Sequence, residues 1–163
     1  MKENGVNMSS NFENHTLNET EQKKLKTLIW LHLFFMQTII SFLFIPMIMI
    51  KKESIDLQKS IAMEDIGMIL QVGAFLLNLI IILVYRAQTK KLIKLKASEL
   101  LPKFTQLHLL TWAGFELCAT LGLAYAFIVQ DPKGSQLFVM LAFLSIVAHP
   151  ATKAKYQALK HGD

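Results

Sequence analysis

The chain has 163 residues, 53% of them apolar and 18% charged, with a mean hydropathy of +0.39 and a net charge of +5. That length allows one domain rather than two, and the lone cysteine, Cys118, excludes a disulfide framework within the chain. The positive charges cluster at the ends of apolar blocks, where anionic lipid headgroups lie, which argues for a lipid bilayer and against a nucleic-acid partner.

Residues 1–22 are polar, rich in Asn, Glu and Ser, and read as a disordered cytoplasmic tail. They lack the apolar core and small-residue cleavage site of a secretory signal. Three Asn-x-Ser/Thr sequons fall here, at Asn7, Asn14 and Asn18. They are taken as products of composition, because the charge pattern puts this tail inside.

Four apolar spans follow, at about 27–50, 66–85, 104–129 and 135–152. Each is long enough for a hydrocarbon core of ~30 Å at ~1.5 Å per residue, the fourth only just. Arg86 to Lys96 is expected to continue the second helix beyond the membrane, so that Arg86, Lys90, Lys91, Lys94 and Lys96 meet lipid headgroups. The stretch Gln130-Asp131-Pro132-Lys133-Gly134 has turn composition and makes a short hairpin of spans three and four. The predicted fold class is all-α: a four-transmembrane-helix bundle of two antiparallel hairpins. It forms a membrane domain over 23–156, with a C-terminal tail at 157–163. Of the 17 Lys and Arg, 13 fall in the N-terminal tail, the loop between spans two and three, and the C-terminal tail. That asymmetry predicts both termini in the cytoplasm, in a bacterial inner membrane.

Each span brings one polar residue to a similar depth: Gln37, Asn78, Glu116 and Ser145. At ~100° per residue, Gln37 and Ser41 share a face, as do Gln71 and Asn78, and Glu116 and Thr120. An inward polar layer is the expected packing. Its amides and hydroxyls have a bland reading as interhelical hydrogen bonds. Glu116 is the exception, because a carboxylate at the bilayer centre costs at least ~2.5 kcal/mol. The expectation is a protonated acid bonded to Asn78 or Gln37, able to carry a proton or a cation. His32, His108 and His149 lie nearer the cytoplasmic ends of their helices. They read as interfacial residues facing headgroups and water, with haem or metal ligation as the rival.

Gly114, Cys118, Gly122 and Ala126 recur every four residues, almost opposite Glu116, and let a second helix backbone approach closely. That neighbour is either in the same chain or in a second copy. Cys118 belongs to this stripe and is not a nucleophile. No nucleotide loop, serine triad or zinc-protease helix occurs.

Phe115-Glu116-Leu117-Cys118-Ala119-Thr120-Leu121-Gly122-Leu123 resembles the carboxylate-bearing helix of rotary ATPase proteolipids, in which the acid is followed six positions later by Gly, then Leu. The resemblance covers about ten residues and implies ion carriage at Glu116; the glycine-rich partner helix of that family has no counterpart here. Leu107 to Leu159 is also similar to small uncharacterised four-span bacterial inner-membrane proteins. The shared features are an acid in the third span, the polar turn, and the exit Pro150-Ala151-Thr152-Lys153-Ala154-Lys155. That resemblance implies no activity. The expected function is therefore a non-enzymatic component, without a cofactor, that assembles or regulates a membrane complex through a homo-oligomer or another membrane protein. The alternatives are a proton- or cation-translocating bundle using Glu116, and a haem or metal protein using the histidines.

Overall fold

The computed structural model describes residues 17–50 and 61–161. These form five helices: α1 (Glu19–Met49), α2 (Ile61–Leu92), α3 (Ala97–Val129), α4 (Pro132–Ala148) and α5 (Lys153–His161), with no strand among the described residues. α1, α2 and α3 are each long and apolar enough to cross a membrane. α4 and α5 add a fourth crossing only if the pair is counted as one span bent by 53°.

α1 starts within the segment expected to be tail. Asn18 accepts from the Thr20 N–H (3.1 Å), and Glu21 accepts from the Asn18 N–H (3.0 Å), a capping box that satisfies two donors the helix itself cannot. The Asn18 sequon is thus occupied as a helix cap. Asn7 and Asn14 lie outside the described residues. α2 runs to Leu92, so the expected extension past Tyr85 is present. α3 begins seven residues before its apolar span and ends on Gln130, which takes a left-handed conformation (φ 57°). Asp131 then caps α4, accepting from the Lys133 and Gly134 N–H groups, and Pro132 takes the first helical position, where its missing N–H costs nothing.

α3 is the centre of the molecule. In its apolar stretch 44% is buried, against 17% in α1 and in α2. It packs against α2, α4, α1 and α5, and α4 in turn touches α1 and α2. Phe104, Trp112, Phe115 and Ala119 of α3, Ile39 of α1, and Val139, Ala142 and Ile146 of α4 are fully buried. Outside this core the surface is apolar, with Trp30, Phe34, Ile48, Ile69 and Leu137 among the many large exposed side chains. A continuous apolar exterior of this extent fits a membrane location and not water.

Three expectations need correction. The first hairpin does not form as a packed pair: α1 and α2 make no extensive contact among the described residues, and each leans instead on the α3–α4 pair. The four helices thus make a diamond, with α3 and α4 on its short diagonal. The fourth span also ends early. α4 has 17 residues, ~26 Å of helix, and breaks at His149–Pro150 because proline removes a donor and disfavours helix in the residue before it. The stretch expected as a tail at 157–163 is instead helical as far as His161.

Candidate functional site

The mid-depth polar residues do not gather in one layer. Ser145 donates to Asn78 Oδ1 across α4 and α2 (3.0 Å), and both are buried. Among the described residues the Asn78 amide nitrogen is buried with no nitrogen or oxygen acceptor, and the Cys118 thiol lies against the same side chain. Gln37 and Gln71 are exposed. Glu116 is half-buried, and among the described residues its carboxyl has neither a hydrogen-bond partner nor an ion pair. Thr120 turns its hydroxyl onto the Glu116 backbone carbonyl (2.9 Å), which satisfies the hydroxyl within its own helix. The expected bond from Glu116 to Asn78 or Gln37 is therefore absent. The physical reason is azimuth: Glu116 lies about 160° round the helix from Cys118, which faces the core. It sits at the edge of the open face formed by Ala113, Leu117 and Thr120.

The small-residue stripe is consumed inside the chain. A Cβ on Gly114 would come within 2.7 Å of Ile81 Cδ1 on α2. One on Gly122 would come within 2.7 Å of Phe138 Cβ and 3.3 Å of the Ser135 carbonyl oxygen on α4. Cys118 is buried between these contacts and Ala126 one turn beyond them. The neighbour left open by the sequence is thus α2 at one end of the stripe and α4 at the other.

His108 does not face water as expected, while His32 and His149 keep part of their surface. His108 is 1% exposed and stacks among Phe104 (4.2 Å between ring centres), Tyr85 (5.5 Å) and Trp112 (5.6 Å). His32 and His149 are half-buried; His32 lies on Trp112 (4.7 Å) and His149 on Tyr85 (4.6 Å). His108 Nδ1 is 2.9 Å from the Phe104 carbonyl, which can only accept, so Nδ1 carries the proton. In the neutral ring Nε2 is then an acceptor, and the Tyr85 hydroxyl donates to it at 3.2 Å. Both nitrogens of His108 are engaged, and His149 gives its Nδ1–H to the Ser145 carbonyl (2.7 Å). Among the described residues no three His, Cys, Asp or Glu are grouped to hold a metal ion. The cluster works as a latch: Trp112 donates its indole N–H to the His149 carbonyl (3.0 Å), taking up an acceptor freed by the end of α4.

A second junction closes the same end. Tyr156 of α5 is fully buried, packs on Phe104 (5.4 Å) and donates to Glu21, and Lys160 bonds both Glu21 oxygens (3.0 and 3.1 Å). The start of α1 and the whole of α5 therefore lie at one end of the bundle. Neither Glu21 nor Tyr156 stands out in a hydropathy reading. The signals were the Asn18–Glu21 capping spacing and the large apolar residues Tyr156 and Leu159, three apart and so on one helix face.

Arg86, Lys90, Lys91, Lys94 and Lys96 are all exposed along the end of α2 and the turn to α3. Comparison with protein-family models, with curated proteins and with solved structures gives no match.

Proposed function

We propose that this protein is a non-enzymatic four-span component of a membrane complex, and that another transmembrane helix docks on the open face of α3 around Glu116. One observation carries the reading: a carboxyl at the middle of the most central helix faces outward without a partner among the described residues. An acid left in hydrocarbon costs at least ~2.5 kcal/mol, and a donor or cation on a docked helix offsets that cost. The exposure of Ala113, Leu117 and Thr120 on that face supports it. Ion carriage has less support, because among the described residues Glu116 makes no hydrogen bond to the Asn78–Ser145 pair.

In the proposed topology both termini are cytoplasmic and the membrane is a bacterial inner membrane. The distribution of Lys and Arg supports this, as does the meeting of α5 with the start of α1, which requires an even number of crossings between them. The test is photo-cross-linking in native membranes from a reactive residue placed at Leu117 or Thr120, with exposed Leu137 of α4 as control. Adducts of higher mass from the α3 positions alone are expected. Two differently tagged copies tell a second copy of the chain from another protein. Monomers only, at all three positions, would overturn the reading.

A further inference from the structure

A groove of about 380 Å³ runs between α2 and α3 and opens sideways, on a different side of α3 from Glu116. Leu110 in its wall lies about 120° round the helix from that acid. The two ends of the groove differ in chemistry. Ile80, Val84 and Leu110 make one end apolar, and the Thr111 hydroxyl there is already spent on the Leu107 carbonyl (2.7 Å). Gln88, Lys103 and Gln106 make the other end polar. Because α2 and α3 are antiparallel, these three side chains come from adjoining helix ends. The polar end lies ~10–12 Å along the helix axes from the apolar end, on spacings of seven residues (Lys103 to Leu110) and eight (Ile80 to Gln88).

Among the described residues no acid pairs with Lys103, and the exposed Lys90, Lys91 and Lys94 lie on the same end of α2. The groove therefore combines an uncompensated positive end with an apolar trough that leads into the hydrocarbon. The complement of that shape and charge is an amphiphile with a negative head. We propose that the groove binds one anionic membrane phospholipid, its phosphate held by Lys103 and the Gln88 and Gln106 amides, and one acyl chain laid along Ile80, Val84 and Leu110. Neither end alone selects this ligand: a free phosphate leaves the trough empty, and a zwitterionic lipid carries its own cation beside the phosphate, which offsets the attraction to Lys103.

The experiment is native mass spectrometry of the full chain released from maltoside micelles, after titration with phosphatidylglycerol or phosphatidylcholine. Wild type should retain one phosphatidylglycerol about fivefold more strongly than phosphatidylcholine, the preference worth one basic residue at a membrane surface. Lys103→Ala should abolish the preference, whereas Lys94→Ala, away from the groove, should keep it. Leu110→Trp, which fills the trough, should cut retention of both lipids, while Leu137→Trp on α4 should not. Equal retention of the two lipids by wild type would overturn the proposal. So would an unchanged preference in Lys103→Ala, or displacement of the lipid by glycerol phosphate at the concentration at which the intact lipid competes. Exposed Lys103 and Leu110 make misfolding an unsuitable explanation for either loss, and far-ultraviolet circular dichroism of each variant checks the helix content.

Discussion

The Tyr156 hydroxyl donates to Glu21 Oε1 at 2.9 Å, tying the last described helix to the first turn of the first one. Glu21 also caps α1 through the Asn18 N–H and pairs with Lys160, so one carboxylate holds three groups. Glu21→Ala should release α5. The ion pair itself is partly exposed and contributes little, but the lost cap and the buried phenol together should cost ~1–2 kcal/mol. Limited trypsin digestion in micelles checks this: cleavage at Lys153 and Lys155 should accelerate several-fold, while Glu19→Ala leaves it unchanged.

Tyr85→Phe removes the donor to His108 and leaves a buried ring nitrogen without a partner. The expected loss is ~1–3 kcal/mol in thermal unfolding. Adding His108→Phe removes the orphaned acceptor. The double variant should then lose less than the two single losses combined, because the residues act as one unit. Strict additivity would show that the 3.2 Å contact contributes nothing.

Gly122→Ala and Gly114→Ala introduce the same methyl group at similar nominal distances from a neighbour, yet their costs should differ. At Gly122 the obstacles are a Cβ and a backbone carbonyl of α4, which move only if the helix moves; at Gly114 the nearest atom is the flexible tip of Ile81. Gly122→Ala should lose ~1–3 kcal/mol, and Gly114→Ala less than half as much. Denaturation of both variants in the same micelles, side by side, gives the comparison.

Glu116→Leu should not destabilise the isolated chain, because the side chain has no partner to lose among the described residues and an unpartnered acid is removed. In native membranes the same variant should abolish cross-links from Leu117. A loss of several kcal/mol in the isolated protein would instead reveal an internal partner for the acid.

The helices themselves were legible because a run of apolar residues reports its own solvent. The turn at Gln130–Gly134 and the extension of α2 past Tyr85 were legible from local chemistry. What stayed hidden was azimuth between helices. Residue spacing relates Glu116 to Thr120 on one helix, but it does not say whether that shared face meets Asn78 or the outside. His108 was hidden for the same reason: its depth suggested headgroups and water, and only the meeting of Phe104, Tyr85 and Trp112 around it makes it core. The break before α5 had a visible cause in Pro150, but the apolar residues around it carried the expected span through to 152.

The diamond arrangement has a consequence for biogenesis. Among the described residues every principal contact of α1 is with α3 or α4, and none is with its immediate successor. A ribosome making ~5–20 residues per second needs roughly 5–20 s to go from Met49 to Ala148. In the proposed membrane topology α1 is without its packing partners during that interval. It must hold its place by its own apolarity and capped N-terminus until the α3–α4 pair arrives to receive it.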